Sequence, residues 1–299
     1  MRGLYAGADI AAGDVLLEVP RRGLLLPADA AAIADDVRVI AGGMADHVLL
    51  ALLLLRTAVD PAWRPLHDML PTVLPGHPLF WDAADLAWLD GTSLRRLVED
   101  RRAVLGEELR ALRRGGLVPT SLTDDDWLRV RTLVSSRAFE LDGELPAPPG
   151  SGLALVPFAD LMNHAPISQV TWGLERDRFV LRARVPIAAG QEVCDDYGPK
   201  GNGRLLLHYG FTLPENPHAE CVVYPWVYGP LRVRLGHDED REGVRAALRE
   251  APEGLAEIAA AACARLRGDE EGLLTENQRN ARRVHADERR VWGWLVGGG

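Results

Sequence analysis

Residues 157–166 read PFADLMNHAP and residues 195–211 read DDYGPKGNGRLLLHYGF. In the first phrase, Asp160-Leu161-Met162 leads to the polar pair Asn163-His164, which stands directly before Ala165-Pro166. An amide and an imidazole at the end of an apolar run, just ahead of a proline, read in isolation as a helix C-terminal cap more readily than as a ligand site. In the second phrase, Gly198, Gly201 and Gly203 permit close backbone approach to a partner. Neither the Walker nor the Rossmann glycine pattern is present, so in isolation this loop reads as a set of turns.

Working outward, the second phrase is preceded by a short β-rich run, Glu192 to Asp195, introduced by Pro186-Ile187-Ala188-Ala189-Gly190-Gln191. Near the N-terminus, Ile10-Ala11-Ala12-Gly13-Asp14 introduces Val15 to Val19 in the same way. One turn phrase, Ile-Ala-Ala-Gly, thus opens two strands at opposite ends of a long intervening segment. That arrangement suggests a small β domain split by an insertion; the alternative is coincidence in a chain rich in Ala and Gly. Val170, Trp172 and Leu174 alternate with polar residues, as do Phe179, Leu181, Ala183 and Val185, and the turn Glu175–Arg178 joins them. This predicts a hairpin with one buried face.

The segment from about Pro27 to Pro146 reads helical. Met44–Val59 has the length and leucine content of a buried helix, Asp82 opens another, and Ser93–Leu112 carries Leu97, Val104, Leu105, Leu109 and Leu112 at helical spacing. Thr123, followed by Asp124, Asp125 and Asp126, caps a helix expected to run through Trp127, Val130 and Val134 to Phe139. Pro146–Gly150 is a loop, and Leu205–Tyr209 a short helix. Beyond Pro217, Glu220–Tyr224 and Leu231–Leu235 suit a small hairpin, and the chain turns helical from Asp240. The last helix buries Val284, Val291, Trp292 and Leu295 and leaves Arg279, Arg282, Arg283, Arg289 and Arg290 on a solvated face.

Composition excludes several classes. With 47% hydrophobic and 26% charged residues, the 299-residue chain is not mainly disordered. A net charge of -9 argues against duplex nucleic acid, whose binders neutralise phosphates. The longest apolar run, Val48 to Leu55, is far shorter than the roughly 20 residues of a bilayer-spanning helix. No signal-peptide apolar core follows Met1, so a cytoplasmic location is expected. Cys194, Cys221 and Cys263 are scattered and odd in number, so neither a structural zinc site nor a disulfide framework is expected.

Taken together and in this order, the two opening phrases resemble the C-terminal motifs of SET-domain methyltransferases. In that family an Asn-His phrase and a Tyr-bearing loop thread together in a pseudoknot. Asp160-Leu161-Met162-Asn163-His164 and Tyr197-Gly198-x3-Asn202-x2-Leu205-Leu206-x2-Tyr209-Gly210-Phe211-x4-Asn216-Pro217 are similar to the Rubisco large-subunit and actin-histidine methyltransferase group. So are Trp63-x-Pro65-x3-Met69-Leu70-Pro71, Pro78-Leu79-Phe80-Trp81, Leu89-x-Gly91-Thr92-x-Leu94 and Ser136-Arg137-Ala138-Phe139. The resemblance implies an α+β fold. Residues 1–217 would form the SET domain with its small sheets and pseudoknot, split by a helical insertion at about 28–149. Residues 218–299 would be a small, mainly helical C-terminal domain that binds substrate.

The resemblance also implies roles. The activity is transfer of a methyl group from S-adenosylmethionine to a lysine, or a histidine, of a protein substrate. Asn163 and His164 hold the cofactor near its adenine, Gly3 and Leu4 lie in the N-terminal cofactor loop, Phe211 packs on the adenine, and Arg137 pairs with the cofactor's carboxylate. Tyr197 is the catalytic tyrosine and also touches the cofactor, and Ser136 and Asp160 line the substrate channel. No metal, membrane or nucleic acid is implied, and a monomer is expected. Three departures stand out: the family's N-terminal loop has more residues and another glycine before the position of Gly3, His67 breaks the W-x-P-Y-L phrase, and the tail after Pro217 is short. The N-terminal difference implies either a misplaced start or a weaker hold on the cofactor. Other readings keep the fold but make the acceptor a small amine, or make the module a non-catalytic peptide binder. A metal hydrolase built on Asp160, His164, Asp195 and Asp196 is a further alternative.

Overall fold

The computed structural model describes residues 3–31, 46–141, 152–224, 230–248, 254–266 and 273–297. Met1 and Arg2, the start of the predicted helix at Met44 and the predicted loop Pro146–Gly150 lie outside the described residues. The chain divides into two compact units, Met1–Thr72 with Leu109–Gly198, and Val73–Glu108 with Pro199–Gly299. Part of the expected insertion, Val73–Glu108, therefore packs with the chain after Pro199 rather than with its own flanks.

In the first unit the strands are β1 (Leu4–Tyr5), β2 (Val15–Pro20), β3 (Ala138–Glu140), β4 (Leu153–Leu155), β5 (Asn163–His164), β6 (Val170–Glu175), β7 (Arg178–Ala183) and β8 (Glu192–Asp195). They form small sheets of order β1-β8-β5, β2-β7-β6 and β3-β4. The β6–β7 hairpin is as expected, and its buried face (Val170, Phe179, Leu181, Ala183) packs with Val19 and Val193 in one core. Val185 does not continue that face: β7 ends at Ala183 and Val185 is 38% exposed.

The repeated turn proves to be one structure used twice. Asp14 N–H donates to the Ala11 carbonyl at 3.2 Å and Gln191 N–H to the Ala188 carbonyl at 3.0 Å. Gly13 (φ 92°) and Gly190 (φ 79°) take the positive φ that a type II turn requires at its third residue. In each turn the last side chain folds back, Asp14 onto Ala11 N–H at 2.8 Å and Gln191 onto Ala188 N–H at 2.9 Å. The two phrases also pair with each other. Ile10 N–H donates to the Ile187 carbonyl at 2.9 Å and Ile187 N–H to the Ile10 carbonyl at 3.0 Å. The two ends of the long segment between them therefore lie side by side.

Helix Asp46–Thr57 is buried along most of its length, as its run of leucines requires. Helix Asp124–Arg137 starts at the expected Thr123 cap, and the structure makes it a capping box, Thr123 and Asp126 bonding each other's backbone. It stops two residues earlier than periodicity suggested. Beyond Arg137 the backbone pairs with β4 instead, and Phe139 inserts edge-on against Trp172 and Phe179, with ring centroids 5.2 and 5.5 Å apart. Sheet pairing and aromatic packing outweigh the weak helix preference there.

The second unit holds helices Asn202–Tyr209, Asp238–Ala247, Leu255–Arg265 and Glu276–Val296, and the antiparallel pair β9 (Glu220–Val223) and β10 (Leu231–Arg234). Helix Ser93–Arg114 begins in this unit; Val104, expected on its apolar stripe, is 50% exposed. Val284, Val291, Trp292 and Leu295 are buried as expected. The same helix also buries Asn280, His285, Asp287 and Glu288, which composition alone would have left in solvent. Asp287 accepts Asn202 N–H at 3.0 Å, at the start of helix Asn202–Tyr209. Glu288 accepts Ser93 N–H at 2.9 Å and the Ser93 hydroxyl at 2.6 Å, at the start of helix Ser93–Arg114. Two adjacent carboxyls thus satisfy orphan N–H groups on two different helices. Nor is the arginine face wholly solvated: Arg283 donates to the Thr212 hydroxyl at 3.0 Å and Arg290 to the Asn216 carbonyl at 3.1 Å.

Candidate active site

Asn163-His164 is a strand, not a helix cap. β5 runs parallel to β8, with Asn163 opposite Cys194 and His164 opposite Asp195. On the other edge of β8, Leu4 lies opposite Val193 and Tyr5 opposite Glu192. One three-stranded sheet therefore gathers Leu4, Asn163 and His164 from distant parts of the chain, and Tyr197 follows where β8 ends. Gly3 stands against this sheet. A Cβ there would fall on the Glu192 carboxylate and come 3.0 Å from Asn163 Nδ2. That carboxylate is itself engaged, accepting from Asn163 Nδ2 at 2.6 Å. Glu192 was not singled out from sequence; its only signal was its place in the strand before the Asp-Asp-Tyr phrase.

Tyr197 is tethered at both ends. Its backbone N–H donates to His164 Nδ1 at 3.1 Å, so that nitrogen carries no proton and the imidazole, when neutral, is protonated on Nε2. Its hydroxyl donates to the Met162 carbonyl at 2.5 Å. The His164 and Tyr197 rings lie 5.2 Å apart at 38°. The turn after Tyr197 is fixed by Gly198 at φ 88° and by Gly198 N–H donating to Asp196 Oδ1 at 2.8 Å. The phenol hydrogen is thus committed to a backbone carbonyl. What the hydroxyl offers an incoming group is its oxygen lone pairs, beside that same carbonyl.

Arg137, at the end of helix Asp124–Arg137, reaches the residues just before Met162. Its Nη1 donates to the Asp160 carbonyl at 2.8 Å and to Asp160 Oδ2 at 3.0 Å. Burial pushes the Asp160 carboxyl above its ordinary pKa, against the opposing pull of Arg137. Arg137 Nε and Asp160 Oδ1 are buried with no hydrogen-bond partner among the described residues. Ser136 turns its hydroxyl back on its own helix, donating to the Leu133 carbonyl at 3.3 Å. Phe211 belongs to the second unit, directly after Gly210, which ends helix Asn202–Tyr209 at φ 81°.

The other residues with metal-like chemistry are engaged. Asp195 accepts from the Ser168 hydroxyl at 2.8 Å and from Trp172 Nε1 at 3.0 Å. Among the described residues no group of three or more His, Cys, Asp or Glu side chains is placed to hold a metal ion. Gly201 owes its lack of a side chain to packing, since a Cβ there would strike the His218–Glu220 backbone.

Comparison with known proteins gives a consistent result. The SET domain family matches residues 1–198. Over 230 residues the chain is 32% identical to a fructose-bisphosphate aldolase-lysine N-methyltransferase, chloroplastic, of Arabidopsis thaliana, covering 70% of this chain and 46% of that protein. It is 30% identical over 238 residues to a ribulose-1,5-bisphosphate carboxylase/oxygenase large subunit N-methyltransferase, chloroplastic, of Nicotiana tabacum (72% and 46%). It is 29% identical over 233 residues to the human N-lysine methyltransferase SETD6 (71% and 48%). The chain spans about half the length of these relatives. Among solved structures, the SET domain of LSMT bound to lysine and AdoHcy superposes with a TM-score of 0.78 at 19% identity, covering 98% of this chain and 83% of that one. Rubisco LSMT bound to AdoMet gives 0.76 at 20% identity, covering 98% and 83%. At that identity the likeness establishes the fold.

Proposed function

The chain belongs to the SET-domain family, and from that premise we propose that it is an S-adenosylmethionine-dependent N-methyltransferase acting on a lysine side chain of a protein substrate. The observation that carries the reading is Tyr197, held by His164 at its backbone and by the Met162 carbonyl at its hydroxyl. Support for lysine rather than histidine comes from the relatives, whose names include two lysine N-methyltransferases.

The residues present fit the cofactor. Arg137 keeps a buried Nε–H with no hydrogen-bond partner among the described residues, and Gly3 brings its bare backbone against the Asn163 and Glu192 side chains, where no side chain of its own would fit. Gly3 and Asn163 would hold the adenosine end. Arg137 would meet the carboxylate with the planar donor fork suited to it. When bound, S-adenosylmethionine supplies a methyl group already activated by its sulfonium. The chain's task is then alignment. The Tyr197 oxygen and the Met162 carbonyl accept N–H from the arriving amine and aim its lone pair in line. The lysine must arrive neutral, which costs about 4 kcal/mol at pH 7.4 from an ordinary pKa of about 10.4. Seclusion from water offsets part of that. On the same footing we assign substrate docking to residues 218–299 and a cytoplasmic place of action.

The test is incubation of the purified protein with methyl-labelled S-adenosylmethionine and a fractionated protein pool, followed by mass spectrometry. Methyl-lysine on a protein, lost with Tyr197→Phe, is the expected result. Label found only on small amines would replace the protein substrate with a metabolite.

A further inference from the structure

The second unit contains a cavity whose lining includes none of Tyr197, Asn163 and Arg137. Its volume is about 360 Å³, within the range of pockets that hold small organic ligands. Leu248, Ile258 and Ala262 give it an apolar lining, together with the indole of Trp292. Arg96 and Arg265, both exposed, also line it. The Arg96 guanidinium lies 4.0 Å over the Tyr224 ring, which holds it against the wall. Its contact with Asp100 is long, 3.8 Å, and exposed on both sides, so it competes weakly. The Tyr224 hydroxyl is buried in the same wall with no hydrogen-bond partner among the described residues. Burial pushes its pKa up, so it remains a donor.

The polar groups left over decide the sign of the ligand. Thr92 spends its hydroxyl hydrogen on the Leu89 carbonyl at 2.7 Å. The Ser93 hydroxyl donates to Glu288 at 2.6 Å and accepts Val222 N–H at 3.1 Å. Among the described residues Glu288 is the one acid lining the cavity. Both its oxygens are taken by Ser93, at 2.9 and 3.0 Å from the backbone N–H, and burial raises it to about 7, which lessens its charge. What remains is a donor set: two guanidinium groups and a phenol beside an apolar chamber. An ammonium head would meet two like charges there, whereas a carboxylate finds three donors.

We propose that this cavity binds a small amphipathic carboxylate, its apolar body against Trp292, Ile258 and Ala262 and its head on Arg96, Arg265 and the Tyr224 hydroxyl. The assignment stands independently of methyl transfer.

Calorimetric titration of the full chain with octanoate tests it, with octylammonium (same tail, opposite charge) as the comparison. Octanoate binds saturably at one equivalent, and octylammonium binds at least tenfold more weakly. Arg96→Gln, an exposed substitution that spares the fold, weakens octanoate at least threefold, and Ala262→Trp, which fills the chamber, abolishes binding. Circular dichroism verifies that both variants are folded. No saturable binding of octanoate at millimolar concentration would overturn the proposal. So would equal affinity for octylammonium, or affinity unchanged in both variants.

Discussion

Removing one oxygen atom from Tyr197 separates its two jobs. In the fold, the hydroxyl donates a neutral hydrogen bond to the Met162 carbonyl at 2.5 Å from a half-buried position. Losing such a bond costs about 1 kcal/mol, or a fall in Tm of about 2–4 °C for a domain of this order of size. In the reaction, the same oxygen is a preorganised polar contact to the amine. Losing a contact of that kind typically costs about 10²–10³ in rate, or about 2.7–4 kcal/mol. Tyr197→Phe keeps the ring against His164, so cofactor affinity should stay within about twofold of wild type. The experiment measures initial rates of methyl transfer on the identified substrate, the affinity for S-adenosylhomocysteine, and the melting curve, all on the same preparation. The expected pattern is a small fall in Tm, unchanged cofactor binding and a rate lower by at least two orders of magnitude. A rate within threefold of wild type, with the small Tm fall present, refutes the reasoning: the hydroxyl would then be only a tie to the Met162 carbonyl.

Other perturbations reach other parts of the molecule. Asn163→Ala removes both the amide and its bond to Glu192, and calorimetry should show S-adenosylmethionine affinity more than tenfold weaker. Glu288→Gln tests the buried carboxyl, which burial raises from 4.5 to about 7. Between those values the folded chain keeps a proton that the unfolded chain has lost, so this group's contribution, full below pH 4.5, is lost as pH rises through 7. Urea unfolding at pH 4.5 and 8 should therefore show the variant gaining about 3 kcal/mol on wild type across the range. A constant difference would mean that folding leaves the Glu288 carboxyl unshifted. Gly13→Ala forces a side chain to φ 92° and should destabilise by about 1–2 kcal/mol. Gly203→Ala, in a helix with its nearest contact 4.0 Å away, should stabilise by about 0.5–1 kcal/mol. If the acceptor is lysine, the wild-type rate should rise from pH 7 to 9 as more amine arrives neutral.

Local chemistry was legible in the sequence because it repeats or caps within a few residues. The Ile-Ala-Ala-Gly turns, the Thr123 cap, the β6–β7 hairpin and the leucine run of helix Asp46–Thr57 each announce themselves over a short window. The order of the Asn-His and Tyr-Gly phrases was enough to suggest the family. Only the tertiary structure decided which partner each element would find. Asn163-His164 is too short to show strand periodicity, and it is a strand because β8 lies beside it. Gly3 matters because the Glu192–Asn163 bond passes where its Cβ would be, and Glu192 carries no local mark of that contact. Asp287 and Glu288 look like solvated charges on a helix rich in arginine. They are buried because the N-termini of two other helices arrive there with unsatisfied N–H groups, and a sequence window records a residue's polarity but not the donor that will meet it.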